Sequence, residues 1–285
     1  MLRTANISEL RKIIKEEKQR GKTIALVPSM GYLHRGHLTL IEKAKETGAF
    51  VVVSIFVNPL QFGPNEDYAR YPRDLERDAQ LVEERGVDLL FHPSVEEMYP
   101  RPMVTFVEVG QLDKVLCGAN RPGHFRGVTT VVSKLFHIVQ PDIAFFGQKD
   151  YQQYLIIRRM VSDLNLPIEV RGVPIVREKD GLALSSRNVF LSAEQRQEAL
   201  VLSRSLQEAA ELIRRGKQSA RDIEDFIRTA IRRDSQGVID YVEVRDAEDL
   251  SEVTEINRRV LIALAVKFGP TRLIDNIVVE VETNV

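Results

Sequence analysis

Hydrophobic positions in the first part of the chain alternate between short apolar runs and stretches with helical spacing. The run from Phe50 to Val57, FVVVSIFV, has the length and β-branched content of a strand that is covered on both faces. Between such runs, apolar residues recur every three or four positions and polar residues fill the rest. This alternation predicts a doubly wound, Rossmann-like α/β fold with a parallel sheet, in which ligands bind at the carboxyl ends of the strands.

The same pattern predicts approximate bounds for the individual elements. Ser8 is expected to cap the first helix, which continues to Gly21. Strands are predicted at residues 23–27, 50–57, 87–91, 143–146 and 168–176. Further helices are predicted at residues 38–44, 73–86, 127–139 and 150–164. Their order along the chain is typical of a parallel sheet with helices on its faces.

The hydrophobic pattern changes near Ser192. The sequence SAEQ, which begins at Ser192, is a capping box that predicts a long helix to Gly216, and SARD, from Ser219, predicts a second helix. Three β-rich stretches follow, at residues 238–245, 258–268 and 274–281. We therefore predict two domains, a Rossmann-like domain over residues 1–175 and a second, smaller α+β domain over residues 176–285.

Composition and charge restrict the class of partner. The chain has 44% hydrophobic and 28% charged residues, as ordinary globular proteins do. Its 40 Lys and Arg residues nearly balance 41 Asp and Glu residues, so no overall positive field favours nucleic acid or an anionic membrane. One cysteine excludes an internal disulfide framework, and the sequence contains neither a signal-peptide pattern nor an apolar stretch of membrane-spanning length. These features predict a cytoplasmic protein whose partners are small molecules.

The segment from Pro28 to His37, PSMGYLHRGH, lies between a predicted strand and a predicted helix. At such a junction, backbone N–H groups and the helix dipole favour negative charge, and glycines let a ligand approach the backbone closely. The segment is therefore predicted to hold phosphates. Its two histidines, three residues apart, leave two other interpretations open: a metal pair, which would need further ligands, and a histidine buried in the core.

Polar side chains also follow two other predicted strands. Asn58 and Gln61 carry amides that can donate and accept hydrogen bonds, although an ordinary Asn-Pro turn explains them equally well. Lys149 is a mobile charge suited to a phosphate, whereas Asp150 fits either a helix cap or a ribose hydroxyl. Gln153 lies one helical turn after Lys149 and can reach a substrate hydroxyl or carboxylate.

Two loops add basic and hydroxyl groups. Residues 185–188, SSRN, place two hydroxyls beside an arginine, which suits a polyphosphate; a solvated hinge is the alternative. In residues 121–127, RPGHFRG, the cluster of Arg121, His124 and Arg126 suits an anion such as a carboxylate. The chain contains no GxxxxGK[ST] sequence, which disfavours a P-loop kinase or ATPase.

Five segments together resemble a known family. PSMGYLHRGH, FVNPLQFG, RPGHFRGV, FFGQKDYQQ and ALSSRN, in this order and spacing, are similar to the pantothenate synthetases, or pantoate:β-alanine ligases. These belong to the HIGH-motif nucleotidyltransferase superfamily, which includes the class I aminoacyl-tRNA synthetases. The resemblance covers nearly the whole chain, including the two-domain layout.

The resemblance implies an amide-forming ligase of pantothenate (vitamin B5) and coenzyme A biosynthesis. The carboxylate of pantoate would attack the α-phosphate of ATP, with Mg²⁺ as cofactor, to give pantoyl adenylate and pyrophosphate. The amine of β-alanine would then attack the acyl carbon and release pantothenate and AMP. The first domain would bind nucleotide and pantoate, the second would close over the site, and the protein would form a homodimer.

The resemblance also implies roles for single residues. The implied ATP-binding residues are Met30, Gly31, Tyr32, Leu33, His34, Arg35, Gly36, His37, Gly147, Gln148, Lys149, Asp150, Val176, Leu184, Ser185, Ser186 and Arg187. The implied catalytic residues are His34, His37, Lys149, Ser185 and Arg187, with His37 as the donor of a proton or hydrogen bond. The implied substrate-binding residues are Gln61, Gln153, Asn58, Tyr71, Arg121 and His124. Asp78 resembles an acidic position near the magnesium ion.

Three residues depart from the commonest family pattern. Ser29 replaces a threonine and Leu184 a methionine, with little change in chemistry, whereas Arg35 replaces a glutamate and reverses a charge beside the expected phosphates. We expect this reversal of charge to affect the affinity for ATP more than the chemical reaction. Two other functions stay open at this point: a nucleotidyltransferase without an amine acceptor, and an adenine-nucleotide sensor without turnover.

Overall fold

The computed structural model describes residues 1–64 and 66–281. Contacts within the chain divide it into two compact units, each built from several segments. The first unit comprises Met1–Gly110, Arg121–Gln148 and Ile156–Pro174. The second unit comprises Gln111–Asn120, Lys149–Leu155 and the described residues from Ile175 onward. The functions predicted for the two domains stay predictions.

A six-stranded parallel sheet forms the centre of the first unit. Its strands are β1 (Leu2–Thr4), β2 (Ile24–Ser29), β3 (Phe50–Ile55), β4 (Leu89–Phe91), β5 (Ile143–Gly147) and β6 (Glu169–Val173). Their order is β1-β4-β3-β2-β5-β6, and every neighbouring pair is parallel. Residues on both faces of the central strands are buried, among them Leu26 and Val27 of β2 and Val52 and Val53 of β3. The predicted doubly wound sheet is confirmed.

Ten α-helices occur in the described residues. They are α1 (Ile7–Gln19), α2 (Arg35–Lys45), α3 (Leu75–Glu83), α4 (Val95–Met98), α5 (Leu116–Asn120), α6 (His124–Val139), α7 (Tyr151–Asp163), α8 (Ala193–Glu198), α9 (Leu200–Arg214) and α10 (Ala220–Asp234). Within residues 1–64 and 66–281, none of them combines the length and the hydropathy that a membrane span requires.

The second unit contains the smaller sheet. Strands β7 (Val238–Asp246), β8 (Val260–Phe268) and β9 (Thr271–Val279) pair antiparallel in sequence order. Helices α9 and α10 contribute apolar side chains such as Leu206 and Ile227 to one core with this sheet. The predicted α+β character of this part of the chain is confirmed.

Several expected helix ends differ from the observed ends by two or three residues, and two further expectations about helices are wrong. Asn6 caps α1 in place of Ser8, because Asn6 Oδ1 accepts from the N–H groups of Ser8 (2.9 Å) and Glu9 (3.1 Å). The long helix expected from Ser192 is divided into α8 and α9 at Ala199, whose carbonyl accepts from the N–H of Leu202 in a tighter, three-residue turn (3.2 Å). The capping box that begins at Ser192 is present as predicted.

The cap of α1 can be tested by a matched pair of variants. We expect Asn6→Ala to lower the free energy of unfolding by about 1 kcal/mol, because two N–H groups lose their acceptor. Ser8→Ala should change it by less than about 0.5 kcal/mol. Urea unfolding followed by circular dichroism measures both values. A larger loss for Ser8→Ala than for Asn6→Ala would contradict the observed cap.

Candidate active site

The candidate site of the first unit lies at the carboxyl ends of β2 and β5. The strand order reverses between these two strands, so their ends flank the crevice in which doubly wound sheets bind ligands. The chain that leaves β2 turns through Gly31 (φ +83°) and Tyr32 (φ +51°), both in the left-handed region. A Cβ at residue 31 would lie 3.0 Å from both Ile55 Cγ2 and Asp78 Oδ2. This turn therefore favours glycine.

Both histidines of the motif accept hydrogen bonds from the backbone at the start of α2. His34 Nδ1 accepts from the N–H of Gly36 (3.1 Å), and His37 Nδ1 accepts from the N–H of His34 (3.3 Å). Because a backbone N–H can only donate, each Nδ1 must offer a lone pair, and each neutral ring carries its proton on Nε2. The ring centroids are 4.0 Å apart. The start of α2 thus holds two imidazoles side by side as Nε2–H donors.

The other interpretations of the histidine pair find no support in these contacts. Both side chains are half-buried, not enclosed in the core. No group of three or more His, Cys, Asp or Glu side chains that could hold a metal ion occurs in the part of the chain that the structure describes. Arg35, the charge that departs from the family pattern, is the exposed first residue of α2, and its effect on ATP affinity stays a prediction.

Asp78 of α3 contacts the loop that connects β2 to α2. Its carboxylate is 1% exposed, and it accepts from the N–H groups of Tyr32 (2.6 Å) and Leu33 (2.8 Å). Burial raises the pKa of Asp78 above its usual value, although these two N–H groups act in the opposite direction. Proximity of Asp78 to a magnesium ion stays a prediction.

Asn58 uses its hydrogen-bonding groups within the first unit. Its Oδ1 accepts from the N–H of Leu60 (3.3 Å) and from the hydroxyl of Tyr99 (2.7 Å). Its Nδ2 donates to the carbonyl of Gly127 (3.1 Å) and to Gln61 Oε1 (3.1 Å). The two backbone partners determine which way the amide faces, because one can only donate and the other can only accept. Asn58 is 1% exposed, and its predicted contact with a substrate stays a prediction.

The orientation of Gln61 follows from that of Asn58. Since Gln61 Oε1 receives the hydrogen bond, Gln61 Nε2 lies on the other side, 3.1 Å from the sulfur of Met30. The turn that carries Gln61 approaches α6 so closely that a Cβ at Gly127 would overlap the carbonyl oxygen of Leu60. Gln61 therefore offers an N–H donor, not a carbonyl, on the side of Met30.

Arg121 and His124 bind the protein's own groups. The Arg121 guanidinium pairs with both carboxylate oxygens of Glu66, and its Nη1 donates to His124 Nε2 (3.0 Å). His124 must then carry its proton on Nδ1, which donates to the carbonyl of Gln61 (2.8 Å). Burial raises the pKa of Glu66, but the hydrogen bonds and positive charge around it, chiefly from Arg121, together hold the pKa below its usual value. Glu66 supplies a carboxylate to this cluster, and direct binding of a substrate anion by Arg121 and His124 stays a prediction.

Tyr71, another predicted substrate-binding residue, belongs to an aromatic cluster. Its side chain is 6% exposed and meets the ring of Phe62 edge-on, with 6.0 Å between the centroids. A direct contact between Tyr71 and a substrate stays a prediction.

The chain after β5 forms a short 3₁₀ turn before α7. At Gly147 an added Cβ would meet no atom within 4 Å, so open space lies beside the backbone. Gln148, Lys149 and Asp150 form the turn, and Lys149 Nζ lies 4.0 Å from Asp150 Oδ2. Gln153 lies in the first turn of α7 and is half-buried.

In the second unit, the remaining predicted ATP-binding residues form one local structure. The N–H of Leu184 donates to the carbonyl of Val176 (3.0 Å), so the two residues predicted to line the adenine pocket are neighbours. Ser185 caps the following 3₁₀ turn, because its hydroxyl accepts from the N–H of Arg187 (3.2 Å). Asn188 Nδ2 anchors the loop to the carbonyl of Ala183 (3.1 Å).

Two supporting residues escaped the sequence analysis. Tyr99 lies 41 positions from Asn58, and no local pattern connects them. Burial raises the pKa of Tyr99 well above its usual value, so its hydroxyl stays protonated and donates. Glu66 could have been found by charge, since the basic cluster at Arg121 required an anion.

Comparisons with known proteins identify the family of the chain. The sequence model of a family described as Pantoate-beta-alanine ligase matches residues 3–278. A pantothenate synthetase from Desulfitobacterium hafniense is 68% identical over 280 residues, which are 98% of this chain and 99% of the relative. One from Acetivibrio thermocellus is 58% identical over 275 residues, 96% of this chain and 98% of the relative.

Solved structures show the same similarity. The crystal structure of pantothenate synthetase from Thermus thermophilus has a TM-score of 0.92 and 50% identity, covering 97% of this chain and 99% of that one. The crystal structure of pantoate-beta-alanine ligase from Francisella tularensis, complexed with beta-gamma ATP and beta-alanine, has a TM-score of 0.75 and 33% identity, covering 97% of each chain. The resemblance of the five segments is confirmed, and the chain belongs to the pantoate-beta-alanine ligase family.

Proposed function

We propose that the residues at the ends of β2 and β5 carry out in this chain the reaction of its family. That reaction is the ATP-dependent condensation of pantoate with β-alanine to pantothenate, AMP and pyrophosphate. The observation that carries the proposal is the pair of imidazoles, His34 and His37, held as Nε2–H donors at the start of α2. Hydrogen-bond donors prepared in this way suit a reaction in which charge develops on phosphate oxygens.

The first step forms a bond between a carboxylate oxygen of pantoate and the α-phosphorus, and breaks the bond from that phosphorus to the pyrophosphate. Negative charge accumulates on the oxygens of the α-phosphate and on the leaving group. His34 and His37 would donate Nε2–H to these oxygens, and each donor would contribute about 3 to 4 kcal/mol to the transition state. Lys149 would add a full positive charge.

The second step needs no additional charged group. The amine of β-alanine attacks the acyl carbon of pantoyl adenylate, the bond to the AMP oxygen breaks, and the amine loses a proton. AMP is a good leaving group, whereas the free carboxylate of pantoate is a poor acyl donor. The adenylate must be held away from water until β-alanine arrives.

Further residues would hold the nucleotide. Gly147 leaves room for a ligand against the backbone, and Val176 and Leu184, which are paired through their backbones, would line the adenine pocket. Ser185, Ser186 and Arg187 would hold the triphosphate, since two hydroxyls and a guanidinium suit phosphate oxygens. A Francisella tularensis relative complexed with beta-gamma ATP and beta-alanine supports nucleotide binding by this family.

Gln61 and Gln153 would bind pantoate. The Nε2 group of Gln61 is a neutral donor that suits the carboxylate or a hydroxyl of that substrate. Arg121, His124 and Asn58 would act through Gln61, because they hydrogen-bond to its carbonyl or to its side chain. Their contribution is then the position of Gln61, not direct contact with the substrate.

Magnesium would enter bound to ATP and neutralise part of the phosphate charge. The residues that the structure describes offer no group of three or more His, Cys, Asp or Glu side chains for the ion. This fits the usual binding of Mg²⁺, which keeps several waters and takes phosphate oxygens with only one or two carboxylates. No step described above requires a protein ligand to the ion.

The chain is proposed to act as a homodimer. Residues 102–109 form neither helix nor strand, and Val104 and Phe106 in this segment are 90% and 40% exposed. Two exposed apolar side chains in a segment without regular secondary structure would suit contact with a partner surface. The cytoplasmic location and the absence of nucleic-acid partners stay predictions from composition.

The assignment is tested by product analysis with purified protein. We expect pantoate and ATP alone to give enzyme-bound adenylate and pyrophosphate, and added β-alanine to give equal amounts of AMP and pantothenate. Mass spectrometry of the products measures this. AMP release without an amide product would favour a nucleotidyltransferase without an amine step, and nucleotide binding without turnover would favour a sensor.

Two variants of His37 distinguish its role at the start of α2, where Nδ1 accepts a hydrogen bond, from its role as an Nε2–H donor. Asn retains an acceptor near the position of Nδ1 but lacks the Nε2–H donor, so His37→Asn should lower kcat about 100- to 1000-fold with little change in unfolding temperature. Gln places an N–H donor near the position of Nε2, and His37→Gln should lose less activity. Steady-state kinetics and thermal unfolding measure both. A loss below about tenfold for His37→Asn would contradict the donor role.

The orientation of Gln61 predicts which substitution is more harmful. Gln61→Glu would place a negative charge where a donor meets the pantoate carboxylate, and we expect KM for pantoate to rise about 100-fold. Gln61→Met removes the donor without adding charge, and its KM should rise about tenfold. If Glu were tolerated better than Met, the side chain would present its oxygen to the substrate and the proposed orientation would be wrong.

A further inference from the structure

Helix α3 holds the loop after β2 through two neighbouring side chains. Asp78 accepts from the N–H groups of Tyr32 and Leu33, at 2.6 and 2.8 Å. Arg77 Nη2 donates to the carbonyl of Leu33 (3.0 Å), and its guanidinium carbon lies 5.1 Å from the centroid of the Tyr32 ring. Backbone and side-chain groups of the loop are therefore bound by residues about 45 positions later in the sequence.

The two N–H groups bound by Asp78 would otherwise be suited to an anion. Gly31 and Tyr32 have φ values of +83° and +51°, and successive N–H groups in turns of this kind converge to form an anion-binding concavity. Asp78 supplies that anion from within the protein. Phosphate oxygens then have to be bound by other donors, and the Nε2–H groups of His34 and His37 are donors of the required kind.

The carboxylate is enclosed by the loop that it holds. Asp78 is 1% exposed, and its Oδ2 lies only 3.0 Å from the position that a Cβ on Gly31 would take. A magnesium ligand needs room for an octahedral shell with several waters at about 2.0 to 2.1 Å from the ion. The burial of Asp78 and its two N–H partners favour a role in holding the backbone over a role in binding the ion.

We propose that Asp78 is a positioning residue for ATP, which holds the left-handed turn at Gly31 and Tyr32 and thereby sets the place of His34 and His37 relative to the phosphates. The proposal rests on the proposed function of these histidines. It assigns Asp78 to the loop and not to the magnesium ion. Arg77 assists through its contacts with Tyr32 and Leu33.

The test compares Asp78→Asn with two other variants of this region. An Asn side chain must place its NH₂ group against one of the two N–H groups, so one hydrogen bond is replaced by a contact between donors. Asp74→Asn is the matched control, because it removes the same charge one turn earlier, where Asp74 Oδ1 caps α3 by accepting from the N–H of Arg77 (3.1 Å) and Asn can keep that bond. Arg77→Met removes the second contact from a side chain that is 45% exposed and should fold.

Binding of MgATP is measured by titration calorimetry, and turnover is measured over a range of ATP, β-alanine and free Mg²⁺ concentrations. Asp78→Asn should weaken MgATP binding and raise KM for ATP at least tenfold, with KM for β-alanine and the half-saturating Mg²⁺ concentration within twofold of the wild type. Arg77→Met should raise KM for ATP about two- to fivefold. Asp74→Asn should match the wild type.

Three results would overturn the proposal. A tenfold shift in the Mg²⁺ requirement of Asp78→Asn would make Asp78 a metal ligand, and an unchanged affinity for ATP would remove any role in its binding. If Asp78→Asn does not fold, an unchanged KM for ATP in Arg77→Met decides against the proposal. Failure of the proposed function would be distinguishable, because the wild type would then bind MgATP without forming pantothenate.

Discussion

Hydrogen bonds between side chains and the first N–H groups of α2 are the constraint on which the candidate site depends. These N–H groups have no partner within the helix, and the imidazoles of His34 and His37 accept from them. The same contacts that begin the helix determine where each ring carries its proton. The hydrogen bonds that stabilise the start of α2 therefore also set the chemistry of the two rings, because a neutral histidine that accepts on Nδ1 carries its proton on Nε2 and donates from there.

Hydrogen bonds within the protein also determine how other polar side chains around this loop are oriented. Asn58 is oriented by two backbone groups and in turn orients Gln61, while Asp78 and Glu66 occupy positions that suit an anion. In the proposed function, the donors that the first unit offers to the substrates, on His34, His37 and Gln61, are neutral. Neutral donors in a fixed arrangement need little reorganisation as charge develops on phosphorus oxygens, which is the condition for electrostatic catalysis of this reaction.

The sequence predicts long periodic segments more accurately than short elements and helix caps. Long, strongly periodic segments were recognised with small errors at their ends, as β3 and α7 show. Strand β1 escaped detection because its three residues are too few to display a period, and α4, with four residues, escaped for the same reason. The cap of α1 was misplaced from Asn6 to Ser8 because both residue types cap helices, and only the geometry of the turn distinguishes them.

The sequence by itself determined the alternation of the longer strands and helices, the family and the residue types from which the site is built, because these depend on local periodicity and on five short segments. Tertiary structure decided which group each polar residue meets. Glu66 pairs with Arg121 across 55 positions, and Asp78 meets Tyr32 across 46. Contacts of this kind follow from the order of strands in the sheet, which brings distant turns to the same edge. For that reason the sequence did not reveal that Arg121 contacts Glu66 or that His124 contacts the carbonyl of Gln61.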